Sequence, residues 1–320
     1  LVFDLLHDYQ RHHSIDGGLD TIDAQTGVFM SVIAVITDSN TCLPQNLIER
    51  YRIKVLPLLL HFGEETFRDG IDIDTAEFYS RLESADPFPT TSAPKPEEFT
   101  LAFKQAEQNG AQGAIVVTLA SSLSATLSSA KAAVDSLPAF PVEIVDSGLA
   151  TAAQGFIALE AARAVESGVD LNQAAAMTRR SVSRCGFAFI LTTFKYLQRG
   201  GRVPAIAAVM GSTLDICPIV GNKGFGEVGI LFPARGRERA RQKMIDVIAK
   251  RAVGKKLRDL AVMHTQAKQQ ALDLRDEIAS RFGFEDCFVT ALSPVMGAHA
   301  GPGALGIAYQ FESSDGEEGR

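Results

Sequence analysis

The chain has 320 residues, of which 46% are hydrophobic and 22% charged, with 27 Gly and 13 Pro. That composition excludes collagen, coiled coil and wholesale disorder, and the length suits about two domains at roughly 150 residues each. A formal charge of -7 has the wrong sign for a general nucleic-acid binder.

No stretch approaches the roughly 18 uninterrupted apolar residues of a membrane span. Cys42, Cys185, Cys217 and Cys287 lie among apolar neighbours without metal-ligand spacing, so they read as reduced core thiols of a cytoplasmic protein, and no metal is expected. Residues 1–29 have neither the basic start nor the long apolar stretch of a secretory signal and are expected to form a flexible extension. Five of the chain's Asp and three of its six His fall there.

From residue 32 the pattern alternates strand and helix. Strands are expected over residues 32–37 and 54–60, with helices from residue 43 and over 75–82. A loop rich in Pro and Thr follows at 85–96, then a helix at 97–109, a buried strand at 114–119, a helix at 124–136 and a strand at 142–145. Successive strand–helix units imply a parallel sheet with right-handed crossovers. Residues 149–184 read as two helices broken at Ser167-Gly168, the first of them Ala-rich and apolar on several faces, bridging two domains.

Beyond it come a strand at 187–191, a short helix ending at Arg199, the Gly200-Gly201-Arg202 turn and a small helix at 205–210. Strands at 227–232, 260–264, 287–291 and 304–311, with helices at 237–250 and 267–282, then form a second α/β unit. The fold class is α/β, with an N-terminal Rossmann-like parallel sheet (residues 30–160), a C-terminal α/β domain with a mixed sheet (161–313), and an acidic tail (314–320).

Gly301-Pro302-Gly303-Ala304-Leu305-Gly306 matches the spacing of a dinucleotide fingerprint. The fingerprint needs a helix after the glycines to bind phosphate, and here a strand pattern follows, so a tight turn is expected instead. No phosphate-binding P-loop, zinc-protease helix or nucleophile elbow is present in the sequence.

What remains is a set of small hydroxyl residues just past strand ends: Asp38-Ser39, Thr90-Thr91-Ser92, Ser121-Ser122 and Asp146-Ser147. Ligands of open α/β sheets bind at those ends. Each group is also an ordinary cap or turn former, and His299 is equally readable as a hydrogen-bonded structural histidine. Read as a site, the neutral hydroxyls of Thr91, Ser92, Ser121 and Ser122, with His299, are donors for a carboxylate or another oxygen-rich head group.

The motifs Ile36-Thr37-Asp38-Ser39, Thr90-Thr91-Ser92-Ala93-Pro94, Ser121-Ser122-Leu123-Ser124-Ala125-Thr126, Asp146-Ser147, Leu197-Gln198-Arg199-Gly200-Gly201-Arg202 and His299-Ala300-Gly301-Pro302-Gly303 occur in this order. In that order they resemble the DegV family, the bacterial fatty-acid-binding subunits of fatty acid kinase, over about residues 32–311. The resemblance implies an acyl chain buried in a tunnel, its carboxylate held by Thr91, by Ser122 or Ser121, and by His299, with Arg202 near the mouth. It also implies that the chain is not itself an enzyme and carries no cofactor beyond the bound long-chain fatty acid. A separate ATP-dependent kinase subunit would phosphorylate the carboxylate, and the acyl-phosphate would feed phospholipid synthesis through a transient membrane or acyltransferase contact.

Three motifs depart from the family pattern, at four positions. Ser92-Ala93-Pro94-Lys95 replaces Ser-Gln-Pro-Ser, Ser124-Ala125-Thr126 replaces Ser-Gly-Thr, and Cys217-Pro218 replaces Lys-Pro. Apolar helices at 150–165 and 205–210 are readable either as tunnel lining or as plain core. Two other functions stay open on sequence: an acyl-ester hydrolase using Ser122, His299 and an Asp such as Asp38, and a lipid-sensing regulatory module.

Overall fold

A computed structural model describes residues 33–202 and 216–313. The expected extension at 1–29, the helix at 205–210 and the tail at 314–320 lie outside the described residues.

The described residues begin with β1 (Ile33–Asp38), a 3-10 turn (Ser39–Thr41), α1 (Gln45–Arg50) and β2 (Lys54–Leu56). Next come β3 (Leu59–Phe62), β4 (Glu65–Arg68), α2 (Thr75–Ser84), β5 (Thr90–Ser92), α3 (Pro96–Gln108) and β6 (Gly113–Thr118). They are followed by α4 (Thr126–Ser136), β7 (Val142–Asp146), α5 (Thr151–Glu166) and α6 (Leu171–Ser181). The second half holds β8 (Cys185–Ile190), α7 (Lys195–Gly200), β9 (Ile216–Gly224), β10 (Glu227–Arg235) and α8 (Arg237–Arg251). It closes with β11 (Leu257–His264), α9 (Lys268–Phe282), β12 (Cys287–Ala291), α10 (Pro294–Ala300) and β13 (Leu305–Phe311).

The strands form three sheets. An all-parallel sheet runs β2-β1-β6-β7, and a mixed sheet runs β10-β9-β8-β13-β11-β12 with β11 and β12 parallel. A small antiparallel sheet, β4-β3-β5, completes the set. The expected parallel sheet and mixed sheet are therefore both present. Strands β6, β8 and β13 are buried along their whole length, covered on both faces.

The small sheet departs from the sequence expectation. Residues 54–60 are two strands, because Pro57 cannot donate to a ladder and separates β2 from β3. The loop expected at 85–96 contains β5, which pairs with β3 through Leu59–Ser92 and Leu60–Thr91. Strand β9 and helix α10 also went unread, the first because Pro218 and Gly221 interrupt its pattern, the second because it has only seven residues.

Helix α5 joins the two larger sheets. Thirteen of its sixteen residues are buried, and it packs against β1 and β6 on one side and β8, β11 and β13 on the other. Its small residues make the fit possible: one apolar cluster runs from Val35 and Val117 through Ala153 and Phe156 to Phe187 and Ala308. A domain boundary at residue 160 thus falls inside a continuous helix that both sheets share. Buried Glu160 accepts from Gln310 Nε2 at 3.2 Å and pairs with Arg258, while Arg163 makes two 2.7 Å bonds to Asp259. These polar groups fix α5 against the mixed sheet in register.

Gly155 is where α5 comes closest to the 3-10 turn. A Cβ there would lie 2.8 Å from both the Thr41 carbonyl oxygen and Leu43 Cδ2. In an open helix Gly155→Ala would gain about 1 kcal/mol. Here the backbone carbonyl cannot yield, so overpacking wins and we expect a loss of about 1–3 kcal/mol in urea unfolding; a gain in stability would contradict this packing.

Candidate functional site

A cavity of about 290 Å³ lies where the carboxyl ends of β1 and β6 face the mixed sheet. Its size is at the lower end of small-molecule pockets, about 300–1,000 Å³. In the parallel sheet, β2 and β6 flank β1 on opposite sides, so the crevice sits where the winding reverses, the usual place for a ligand in this architecture. Phe187, Phe189 and Leu191 line it from β8 and the residue just beyond; alternation along the strand sends all three to one face. Val220, Val228, Leu197, Val295 and Met296 extend that apolar wall.

The polar lining consists of Asn40, Thr91, Ser92, Ser124, Thr151, Arg202 and His299, with no carboxylate among the described lining residues. The walls accept an apolar body and the polar groups accept a neutral or anionic head.

Thr91 and His299 form the centre of that polar set. Thr91 Oγ1 and His299 Nε2 are 2.9 Å apart, joining residues 208 positions distant in sequence. β5 delivers Thr91 by pairing with β3, and α10 delivers His299 in its last turn. That short helix starts at the Ser293 cap with Pro294 at its first position, and Asp69 Oδ1 accepts the Val295 N–H at 3.0 Å. Asp69 in turn accepts from Ser39 Oγ at 2.6 Å, so the end of β1 holds the start of α10. Burial pushes the Asp69 carboxyl up, against these hydrogen bonds.

The glycine run after His299 is a turn into strand β13, so the structure contains no dinucleotide cradle there. Gly301 has φ +70°, and a Cβ on it would lie 2.2 Å from the Tyr196 ring. Thr265 clamps the turn, its hydroxyl donating to the Gly301 carbonyl at 2.6 Å and accepting the Ala304 N–H at 2.7 Å.

His299 is held neutral. Burial, with a smaller effect from Arg202, pushes its imidazole down to about 4. Its Nδ1 has no hydrogen-bond partner among the described residues and rests against Gly200, where a Cβ would come within 2.2 Å. A bare lone pair is tolerated there better than an N–H without an acceptor, so the tautomer with the proton on Nε2 is favoured. Nε2 then donates to Thr91, whose hydroxyl proton is left free to point into the cavity. The first glycine of the Gly-Gly-Arg turn therefore has a steric role: it lets the imidazole in.

The other residues expected at the site divide. Ser92 and Arg202 line the cavity, Ser92 paired with His61 Nε2 at 2.9 Å and Arg202 donating to the Gly200 carbonyl at 2.6 Å. Ser121 and Ser122 are exposed and are absent from the lining; the Ser122 hydroxyl donates to the Gly226 carbonyl at the β9–β10 turn, and the Ser121 N–H to Asp146. Ser124, two residues on, lines the cavity in their place.

Asn40 and Thr151 were not singled out from sequence. Thr151 has φ +60°, a conformation costly for a β-branched residue, and its N–H donates to Asn40 Oδ1 at 2.6 Å. Asn40 follows directly on the Asp38-Ser39 pair, which was the available signal.

The hydrolase arrangement is not assembled. Ser122 bonds Gly226, His299 bonds Thr91, and Asp38 accepts the N–H groups of Leu119 and Asn40 at 3.0 and 3.1 Å. Asp38 thus ties the end of β1 to the end of β6, and burial pushes its carboxyl up to about 6. Among the described residues no group of three metal-ligating side chains occurs, and no helix is long and apolar enough to cross a membrane. No disulfide joins the four cysteines.

The imidazole gives a pH test with a defined sign. Its ordinary value is 6.5 and its folded value about 4, so the folded protein binds fewer protons between them. The stability His299 contributes is full above pH 6.5 and is lost as the pH falls to 4. Asp38 works oppositely, because the folded protein takes up its proton as the pH falls through about 6. The wild-type advantage over His299→Gln in urea midpoint should therefore shrink between pH 6.5 and 4; an unchanged advantage would mean that the imidazole is not held neutral.

Comparison with known proteins places this geometry. The family model described as "Uncharacterised protein, DegV family COG1307" matches residues 32–312. The DegV domain-containing protein SCO2569 of Streptomyces coelicolor is 34% identical over 276 residues, 86% of this chain and 97% of that protein. A DegV family protein from Thermus thermophilus, described as binding fatty acid, superposes with a TM-score of 0.81 at 30% identity, covering 88% of this chain and 99% of that one. DegV of Bacillus subtilis, described as a fatty acid binding protein, gives a TM-score of 0.79 at 29% identity with the same coverage. With the matched family model spanning both large sheets and every residue of the cavity wall, the chain belongs to the DegV family.

Proposed function

We propose that the protein is a fatty-acid carrier, with the acyl chain along the Phe187–Phe189–Leu191 wall and the carboxylate at Thr91. The observation that carries this reading is the Thr91–His299 pair set in an otherwise largely apolar cavity. The relatives described as fatty-acid binders support it.

The energetics agree. At about 0.8 kcal/mol per buried CH2, a 16-carbon chain gains on the order of 10 kcal/mol, enough for tight binding after ordering costs. An unpaired buried carboxylate would cost several kcal/mol, so donors must meet it. Thr91, Ser92, Ser124 and the Asn40 amide supply them without a fixed negative charge, and Arg202 adds a positive one.

The finer role follows from the family resemblance: the carrier presents its carboxylate to a separate ATP-dependent kinase in the cytoplasm, and the acyl-phosphate goes on to phospholipid synthesis. Arg202 suits that step because it is exposed while also lining the cavity, where a guanidinium can meet the charge of an incoming phosphoryl group.

Protein purified without added lipid should yield about one fatty acid per chain on extraction and mass spectrometry. Thr91→Val should weaken binding about 5- to 100-fold, the effect of leaving a buried charged group one donor short. Thr91→Val and His299→Gln together should cost less than the sum of the two, since both act on one hydroxyl. Ser122→Ala should stay within a few-fold of wild type. A protein that is empty and takes up no fatty acid would overturn the reading.

A further inference from the structure

Beside the Thr91–His299 pair stands a second hydroxyl–imidazole pair, Ser92 with His61, whose imidazole the carrier reading does not use. The two are built by one strand. In β5, Thr91 pairs with Leu60 and Ser92 with Leu59, so their side chains leave opposite faces of the small sheet. Thr91 shares its face with Leu60, which lies in the apolar cluster beneath α10. Ser92 shares the outer face with His61 and Thr66, which are direct neighbours across β3 and β4.

On that outer face His61 Nε2 lies 2.9 Å from Ser92 Oγ, and His61 Nδ1 lies 2.9 Å from Thr66 Oγ1. Ser92, the last residue of β5, is nonetheless also among the residues that line the cavity.

We infer that His61 is a positioning residue that holds the Ser92 hydroxyl as a donor for the outward-facing oxygen of the bound carboxylate. The inference rests on the fatty-acid reading of the cavity. A neutral imidazole can be wired in two ways. If Nδ1–H donates to Thr66, Nε2 must accept the Ser92 proton, and Ser92 then offers an anion only lone pairs. If Thr66 donates to Nδ1, Nε2–H donates to Ser92, whose own O–H is free to turn into the cavity. A bound carboxylate selects the second arrangement.

Thr91 and Ser92 then act as a matched pair, each supported by an imidazole Nε2. The inner one is fixed by burial against Gly200 and the outer one by Thr66. The inner oxygen of the carboxylate is enclosed, and the outer one stays at the rim, where a phosphoryl group can reach it.

The test compares two probes with the same chain, palmitate and hexadecanol, by competition against a fluorescent fatty acid. His61→Phe should weaken palmitate about 2- to 12-fold, the range of one net hydrogen bond, and leave hexadecanol unchanged. His61→Gln, whose amide N–H can donate to Ser92, should recover most of the loss. In a Ser92→Ala background His61→Phe should have no further effect. If the wild type prefers palmitate and His61→Phe keeps that preference, or loses both probes equally, the inference is overturned. A wild type that binds neither probe overturns the carrier reading itself, and this inference with it.

Discussion

Helix α5 has almost no face for solvent, and the rest of the molecule is arranged around covering it. A segment reading Thr-Ala-Ala-Gln-Gly-Phe-Ile-Ala-Leu can be stable in water only with partners on several sides at once. The parallel sheet covers one side and the mixed sheet the other, so the facing sides of the two sheets share one apolar cluster, while each sheet packs its far face in a cluster of its own. The small residues set the spacing. Gly155 lets the 3-10 turn after β1 sit directly on the helix, and that turn carries Asn40 to the cavity wall.

The cavity is a consequence of this clamping. With α5 fixed between the sheets, the carboxyl ends of β1 and β6 are held opposite β8, and the inward face of β8 presents Phe187 and Phe189 to them. The polar groups arrive from elements that the same packing fixes. Asp69 anchors the start of α10, Thr265 clamps the turn after it, and β3 holds β5 in register. His299 is buried and neutral, and its Nδ1 faces a glycine, so the proton on Nε2 has one use, which is to orient Thr91. The result suits a ligand that is apolar along its length and anionic at its end, with polar groups placed before the ligand arrives.

Much of this was legible in the sequence, and the omissions share a cause. Strands β6, β8 and β13 are rich in apolar residues, and α3, α8 and α9 are long enough to show a helical period; all were readable within a few residues. β5 was not, because Thr90-Thr91-Ser92 has no apolar alternation and is a strand only through its pairing with β3. α10 is too short for a period, although Ser293-Pro294 is a recognisable start. Thr91, Ser92 and His299 stood out as polar residues at strand ends or a glycine turn, Arg202 came only through the family resemblance, and all four line the cavity. Ser121 and Ser122 carried the same local signal, yet Ser122 bonds to the tip of a hairpin more than 100 residues away. Only the tertiary contact separates such a residue from Ser124. His61 gave no signal, since its link to Ser92 exists only across two paired strands.

If Thr91 reads the head group and the β8 wall reads the chain, a crystal structure of the protein with palmitate will show the carboxylate within hydrogen-bond distance of Thr91 Oγ1 and the chain running past Phe187 and Phe189. A carboxylate lodged among those phenylalanines, or a chain in the separate cavity bordered by Leu149 and Phe225, would contradict it.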